Sequence, residues 1–213
     1  MNISSIRTDY VRSSLSEDEA GGNPMQFFDR WLGEAISAGI IEPTAMALST
    51  ISEAGIPSTR IVLLKGSENG KLRFYTNYDS DKGRQLTGNP AASLLFFWPQ
   101  LERQVRFGGY VHQISGDESD AYFYSRPFES RVGAVVSQQS RVIGNREELD
   151  RDYEALLEKM RPDPEAVRRP ENWGGYEFDP VSVEFWQGRA SRLHDRIRFR
   201  KVAGEWVRER LSP

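Results

Sequence analysis

Lysine and arginine residues stand at both ends of one apolar run, where they could bind phosphate groups. The run is Arg60-Ile61-Val62-Leu63-Leu64-Lys65. A strand this apolar is expected to be buried on both faces. Because side chains alternate along a strand, Arg60 and Lys65 are expected on opposite faces, where they would suit two different anionic groups. Rim residues in ordinary ion pairs are the alternative interpretation.

The segment Arg192-Leu193-His194-Asp195-Arg196 combines two fixed positive charges with a histidine. In an extended conformation Arg192, His194 and Arg196 share one face. Histidine is the side chain best suited to proton transfer near neutral pH, so this face could serve catalysis as well as binding. An edge strand with solvated arginines is the alternative. Residues 189–210 contain few aromatic side chains that could stack on bases, which disfavours a nucleic-acid surface.

Hydroxyl and amide side chains accompany a cation at three further places, a mixture that phosphate sites favour. The three groups are Tyr75, Thr76, Ser80 and Lys82; Tyr122, Arg126 and Ser130; and Gln139, Ser140 and Arg141. The sequence has neither a P-loop nor a Gly-x-Gly-x-x-Gly motif, so a bound nucleotide would be held by side chains. Gly108-Gly109 and Gly174-Gly175 are expected to be strand bulges instead.

The composition predicts a globular protein without a metal site. The chain has 213 residues, a net charge of −3, no cysteine and two histidines. These counts exclude disulfides and thiolate metal centres and disfavour a His-rich metal site. No apolar run approaches the ~18 residues that cross a bilayer. The first residues also lack the basic start and apolar core of a signal peptide, so a cytoplasmic protein without membrane contacts is expected.

The hydrophobic pattern predicts strands with helices around them. Asn23-Pro24, followed by apolar residues at helical spacing from Phe27 to Ile36, predicts a capped helix. The sequence Ser115-Gly116-Asp117-Glu118 predicts a capping box at the start of another. No βαβ alternation appears, so the expected fold class is mainly β with peripheral helices (α+β). Residues 1–22 are expected to be a mobile N-terminal arm and residues 23–213 a single domain.

Eight ordered motifs resemble those of the pyridoxine/pyridoxamine 5′-phosphate oxidase family, over about residues 24–213. They are residues 60–65, Phe74-Tyr75-Thr76-Asn77, Leu101-Glu102-Arg103-Gln104-Val105, Ser125-Arg126-Pro127, Ser137-Gln138-Gln139-Ser140, Trp173-Gly174-Gly175, Glu184-Phe185-Trp186-Gln187-Gly188 and residues 192–196. The resemblance implies a homodimeric FMN-binding split β-barrel, with FMN in a cleft between subunits. It also implies oxidation of pyridoxine or pyridoxamine 5′-phosphate to pyridoxal 5′-phosphate. Oxygen would be the electron acceptor and hydrogen peroxide a product, with ammonia from the amine.

The resemblance also implies roles for individual residues. Those implied for FMN are Arg60, Ile61, Val62, Leu63, Leu64, Lys65, Tyr75, Thr76, Lys82, Gln104, Gln139, Ser140, Trp186 and Arg196. Those implied for substrate are Arg7, Tyr10, Lys65, Tyr122, Arg126, Ser130, Arg192 and His194. Arg192 and His194 would be the catalytic pair that orients the substrate and handles its proton. The stretch from Arg7 to Tyr10 resembles a segment that closes over substrate, with plain disorder as the alternative.

One position departs from the family pattern. The chain has Ser80-Asp81-Lys82 where the family usually has Ser-Arg-Lys. A carboxylate at this place is expected to repel the FMN phosphate and weaken binding. Arg84, three residues later in a predicted helix, could offset the loss.

Other functions remain open at this point. The same barrel could oxidise a substrate without phosphate, such as a phenazine precursor, but Lys65, Tyr122, Arg126 and Ser130 would then lack an anion. A protein that binds FMN or pyridoxal phosphate without turnover would not need Arg192 and His194. A nucleic-acid module using residues 189–210 would bind with steep salt dependence. The favoured partners are a phosphorylated small molecule, oxygen and a second copy of the chain.

Overall fold

The structure is a computed structural model that describes residue 1 and residues 9–213. The described residues form six α-helices and nine β-strands. The helices are α1 (Glu17–Ala20), α2 (Pro24–Ser37), α3 (Asp81–Gly88), α4 (Gly116–Ser125), α5 (Phe128–Val136) and α6 (Arg146–Met160). The strands are β1 (Ala45–Ile51), β2 (Pro57–Leu63), β3 (Gly66–Glu68), β4 (Lys71–Asn77), β5 (Ala91–Trp98), β6 (Arg103–Gln113), β7 (Trp173–Gln187), β8 (Asp195–Val202) and β9 (Glu205–Leu211). The mainly β class with peripheral helices is confirmed.

The strands form one antiparallel sheet that divides along its longest member, β7. The sheet order is β2-β1-β5-β6-β7-β4-β3, and β8 and β9 extend from β7 separately. One side of β7 pairs with β6. Its other side pairs with β4 over Trp173–Phe178 and with β8 over Ser182–Gln187. This division places the β4 half and the β8 half of the sheet at different ends of one strand.

Helix α2 supplies much of the core. The Asn23 side chain accepts the backbone N–H groups of Met25 and Gln26 at 3.0 and 3.2 Å, which confirms the predicted cap. The face carrying Phe27, Phe28 and Trp31 is buried against aromatic side chains of the sheet. Each such side chain contributes roughly 2–3 kcal/mol by leaving water. Ile36, expected on this face, is 55% exposed, whereas its neighbour Ala35 is buried.

A smaller apolar cluster joins helices α4 and α5 to the start of β7. Its buried members are Phe123, Val132, Val167 and Trp173. The predicted capping box at Ser115 and Glu118 is present, so α4 begins at a fixed place. This cluster matters for function because α4 and α5 carry Tyr122 and Ser130.

Strand β2 differs from the expectation that both its faces are buried. It is an edge strand that pairs with β1, and its residue Ile61 is 64% exposed. The strand ends at Leu63, and the chain then turns so that the Lys65 N–H bonds to the Arg73 carbonyl. The alternation of side chains along a strand, which predicted opposite faces for Arg60 and Lys65, therefore ends before Lys65.

The two glycine pairs have different explanations. The register of β6 against β7 shifts between Gly108 and Gly109, which confirms a bulge there. Gly174 and Gly175 pair regularly with β4, so the bulge predicted for them was wrong. Close approach explains Gly174, because a Cβ at that position would lie 2.1 Å from the Tyr78 hydroxyl.

The described part of the N-terminal arm is attached to the sheet. The Glu102 carboxylate accepts the backbone N–H groups of Val11 and Arg12, and Leu15 is buried in the core. Arg210 of β9 binds Glu17 at 2.6 Å. Mobility of the arm and its role as a lid stay predictions, and Arg7 lies outside the described residues. None of the helices described is both long and apolar enough to cross a bilayer.

Candidate functional site

A cavity of about 860 Å³ lies between β2, β4 and helices α3, α4 and α5. Most of the predicted site residues line it, including both Arg60 and Lys65. The predicted residues in its wall are Arg60, Ile61, Val62, Leu63, Lys65, Tyr75, Thr76, Lys82, Tyr122, Arg126, Ser130, Gln139 and Ser140. Leu64 is buried in the main core instead. The volume is within the range of about 300–1,000 Å³ that small-molecule sites occupy.

One part of the cavity wall is built around the buried amine of Lys82. The Nζ atom donates to the Gln139 Oε1 at 2.8 Å and to the Thr76 Oγ1 at 3.1 Å. Burial, and then repulsion from Arg60, lower the pKa of Lys82 to about 8. Because burial disfavours the charged form of this amine, an anion that binds beside it stabilises that charged form.

Arg60 lies beside Lys82 and is oriented by neutral oxygen atoms. Its guanidinium donates to the Leu48 carbonyl at 3.0 Å and to the Thr50 hydroxyl at 2.6 Å. Burial lowers the pKa of Arg60 from its ordinary value. The neutral acceptors do not cancel the charge of Arg60. The part of the cavity wall formed by Arg60 and Lys82 therefore suits a phosphate group.

Another cation in the cavity wall is Arg126, which directly follows α4. Its Nη1 atom is buried and has no hydrogen-bond partner within the part of the chain that the structure describes. Burial lowers the pKa of Arg126 and raises that of neighbouring Tyr122. A buried guanidinium nitrogen without an acceptor is costly, so its place in a cavity wall indicates an anionic ligand.

Asp81 lines the cavity, and it has a partner. Its Oδ1 atom accepts from the Arg84 guanidinium at 2.5 Å, across one turn of α3. Arg84 therefore approaches the region as expected and draws the carboxylate into an ion pair. Asp81 still affects the site, because its charge raises the pKa values of Lys82 and Arg60 against the lowering by burial.

The remaining predicted residues form a second group on β6, β7 and β8. Gln104 pairs with Trp186, and Trp186 pairs with Arg196, so the three form a row across neighbouring strands. Buried Glu184 accepts from Arg196 at 2.8 Å and from Arg106, which fixes the Arg196 guanidinium. None of the row lines the cavity described above. We call the row, with Arg192 and His194, the β8 group.

His194 lies beside Trp186 and Tyr10 in this group, with ring centroids 4.7 and 5.7 Å away. Its Nδ1 atom accepts the Arg189 backbone N–H at 3.1 Å. Burial, and then the charge of Arg192, lower the pKa of His194. Both effects favour the neutral imidazole, and because Nδ1 accepts a hydrogen bond, the proton of the neutral ring resides on Nε2.

The extended conformation expected for residues 192–196 is wrong at its beginning. Residues Ala190–Arg192 form a short 3-10 turn, and Ser191 and Arg192 have φ values of 58° and 61°. Strand β8 begins only at Asp195. Arg192 is exposed and reaches the group from a turn, so a shared strand face does not explain its place.

Some cavity residues were missed from the sequence: Asn77, Gly133, Ala134, Ser137 and Trp173. Gly133 and Ala134 lie three and four positions after Ser130 on α5, so helical spacing was a usable signal. Trp173 belongs to one of the quoted motifs but had no assigned role. Its place in the wall depends on the pairing of β7 with β4, which no local pattern reveals.

Comparison with known proteins gives consistent results. The model of the family described as pyridoxamine 5′-phosphate oxidase matches residues 32–159, and that of the pyridoxine 5′-phosphate oxidase C-terminal dimerisation region matches residues 173–213. A pyridoxine/pyridoxamine 5′-phosphate oxidase from Verminephrobacter eiseniae is 50% identical over 213 residues, covering 100% of this chain and 99% of the relative. The corresponding protein from Synechocystis is 49% identical with the same coverage.

Solved structures resemble the fold closely. PhzG from Burkholderia lata, in complex with tetrahydrophenazine-1-carboxylic acid, has a TM-score of 0.88 at 28% identity, covering 94% of this chain and 98% of that one. A pyridoxamine 5′-phosphate oxidase-related, FMN-binding protein from Nostoc punctiforme has a TM-score of 0.70 at 21% identity, covering 87% and 97%. The second likeness concerns the fold alone.

Proposed function

The chain belongs to the pyridoxamine 5′-phosphate oxidase family, and from that premise we propose the reaction it performs. It oxidises pyridoxine or pyridoxamine 5′-phosphate to pyridoxal 5′-phosphate with FMN as cofactor. The alcohol and oxygen give the aldehyde and hydrogen peroxide. The amine, oxygen and water give the aldehyde, hydrogen peroxide and ammonia. Cytoplasmic location stays a prediction from the sequence.

The observation that carries this proposal is a cavity with two cationic sites in its wall. Lys82 and Arg60 form one site, and Arg126 with its buried, unpartnered Nη1 atom belongs to the other, as far as the described residues extend. Two phosphorylated molecules side by side, FMN and the substrate, require such an arrangement. A neutral substrate leaves Arg126 without an acceptor, so an anionic substrate is favoured. The full-length relatives at about 50% identity favour the phosphorylated vitamin over a phenazine-type carboxylate.

The two groups of cavity residues bind different phosphate groups. Lys82, Arg60 and Thr76 hold the FMN phosphate, with Gln139 and Ser140 beside them. Lys65, Tyr122, Arg126 and Ser130 hold the substrate phosphate. Anchoring both molecules makes their reaction effectively intramolecular. When bound, FMN supplies the acceptor for the hydride that leaves substrate C4′.

The β8 group completes the site from a second copy of the chain. The protein is a homodimer, and the stretch from Trp173 to the C-terminus matches the dimerisation region. Edge strand β2 supports a shared site, because it exposes Ile61 beside the cavity residue Arg60. Placing FMN at the interface lets Arg196, Trp186 and Gln104 of one subunit face the cavity of the other.

His194 and Arg192 cover the substrate ring in this arrangement. Because the Nδ1 lone pair of His194 is used by the Arg189 N–H, the side chain presents its Nε2 proton as a donor. It therefore contacts and orients the substrate oxygen or nitrogen through Nε2 rather than removing a proton through Nδ1. Arg192, with its fixed charge, supports the same task.

An anaerobic spectrum tests the proposed function. Protein reconstituted with FMN is mixed with pyridoxine 5′-phosphate without oxygen, and air is then admitted. We expect the flavin absorbance to bleach and then return, with aldehyde and hydrogen peroxide formed in equal amounts. Bound flavin that does not bleach would leave a binding protein as the better interpretation. Unphosphorylated pyridoxine is the matched control, and equal rates for the two compounds would contradict the role of Arg126.

Affinity for FMN should depend on pH through Lys82. The lowered pKa of about 8 rises when a phosphate dianion binds, so binding is accompanied by proton uptake above that pH. Affinity is full below about pH 8 and falls by up to tenfold per unit as pH rises beyond it. Flavin fluorescence titrations between about pH 7 and 9.5 measure this slope. Lys82→Arg, which stays charged, removes the slope; a flat profile in the unmodified protein contradicts the prediction.

Substitution of Asp81 should strengthen FMN binding. Asp81→Arg replaces a negative charge at the cavity wall with a positive one and is expected to lower the dissociation constant about tenfold. Asp81→Asn should give a smaller gain in the same titration. Arg84→Gln should weaken binding, since the carboxylate loses its partner. Unchanged or weaker binding by Asp81→Arg would mean that Asp81 does not face the phosphate.

A further inference from the structure

We propose that Trp173 is a positioning residue for the substrate-phosphate site, holding Arg126 and Tyr122 in place without neutralising the arginine. This inference rests on the proposed function and extends it to a residue with no assigned role. Trp173 is the first residue of β7 and is only 7% exposed, although its side chain reaches the cavity wall.

Trp173 belongs to a set of three nearly parallel aromatic rings. Tyr75 and Tyr122 stack at a centroid distance of 3.8 Å. The Trp173 ring lies 5.7 Å from Tyr75 and 6.2 Å from Tyr122, at interplanar angles of 15° and 4°. The rings come from β4, α4 and β7, so the indole fixes the spacing of three elements around the cavity. Aromatic pairs of this kind are stabilised beyond the effect of their burial.

The face of the indole also orients Arg126. The guanidinium carbon lies 4.8 Å from the Trp173 ring centroid and 5.9 Å from that of Phe123. Within residues 9–213 no carboxylate forms a salt bridge with Arg126, and its buried Nη1 lacks an acceptor. A cation on a ring face is held by the ring quadrupole and keeps its charge. A carboxylate in the same place would fix the arginine equally well but would compete with the substrate phosphate.

The backbone at Trp173 is itself firmly held. Its N–H donates to the Pro170 carbonyl at 3.0 Å, and its carbonyl accepts from the Arg169 guanidinium at 2.7 Å. Arg169 also binds Asp120 at 2.6 Å, and Asp120 lies on α4 with Tyr122. Gly174 packs closely against Tyr78, whose hydroxyl would lie 2.1 Å from a Cβ at this position. The indole therefore holds the phosphate-binding side chains at a fixed position relative to β7.

Two substitutions of Trp173 test this inference. Trp173→Leu keeps an apolar side chain but removes the ring face, whereas Trp173→Phe retains a face. For Leu we expect KM for pyridoxine 5′-phosphate to rise about tenfold, with kcat within about twofold, because loss of a desolvated cation–π contact acts on ground-state binding. For Phe the rise should be about two- to threefold. Turnover of unphosphorylated pyridoxine should not change.

A binding measurement separates this inference from the reaction itself. Equilibrium titration with pyridoxal 5′-phosphate and with pyridoxal should show that Trp173→Leu weakens only the phosphorylated compound, about tenfold. FMN affinity should be unchanged, and Trp206→Phe is the matched control, since Trp206 also lies by a cation, Lys201, at 5.4 Å. Equal loss for both compounds, a fall in kcat alone, or loss of FMN affinity would overturn the inference. If Trp173→Leu does not fold, the affinities of Trp173→Phe for pyridoxal 5′-phosphate and for pyridoxal are compared in the same way to test the inference. Failure of the proposed function would appear separately, as unmodified protein that binds pyridoxal 5′-phosphate but never bleaches its flavin.

Discussion

Methionine in place of Arg126 is expected to lower kcat/KM for pyridoxine 5′-phosphate about a hundredfold or more. The substitution removes the guanidinium whose buried Nη1 atom has no described partner, and with it the charge-assisted hydrogen bonds to the substrate phosphate. Methionine retains much of the apolar volume against Trp173, so the fold should tolerate it. FMN affinity should not change, because the proposed site for the FMN phosphate consists of Lys82 and Arg60, which the substitution leaves in place.

Steady-state kinetics with phosphorylated and unphosphorylated substrate measure this effect. The matched control is Arg131→Met, a buried arginine of α5 that pairs with Glu165 and does not line the cavity. That variant should keep its kcat/KM. A loss of less than about fivefold in Arg126→Met would show that Arg126 does not hold the phosphate.

Two inactive variants should restore activity when they are combined in one dimer. Arg126→Met damages the cavity, and Arg192→Met damages the β8 group. If each site takes these groups from different subunits, a heterodimer of the two variants has one doubly damaged site and one intact site. About half of the wild-type activity per dimer is therefore expected, although each parent variant is nearly inactive.

Co-expression with two different affinity tags gives the heterodimer for this measurement. A second heterodimer, of Arg126→Met with Lys65→Met, is the control, because both changes lie in the cavity group and no site is left intact. Activity in the first heterodimer and none in the second supports a site shared between subunits. Lack of activity in both would mean that one chain supplies both groups.

Local features of the fold were well predicted from the sequence. The Asn23 cap, the capping box at Ser115 and the bulge at Gly108 each depend on residues close together in the chain. The exposure of β2 was not predicted, because an apolar run gives the same pattern whether its own chain or another covers it. The turn before β8 was missed because Ser191 and Arg192 adopt positive φ values that their residue types do not favour.

In the candidate site, too, the residues in local motifs were predicted and a residue placed by long-range packing was not. The motifs supplied most cavity residues, and the structure brings Arg60, Lys65, Lys82 and Arg126 around one space. Trp173 had no predicted role, because its stacking on Tyr75 and Tyr122 joins three elements distant in sequence. Long-range packing of this kind leaves no spacing signal in a single sequence.

The types of side chain that line the cavity affect how well the site resists oxidation. The chain has no cysteine, and none of its four methionines is among the residues of the cavity wall. Met25 and Met46 are both buried in the core away from that wall. Sulfur atoms are the side-chain sites that peroxide oxidises most readily. In the proposed reaction, hydrogen peroxide released at this wall therefore meets no sulfur atom among the described residues that line it.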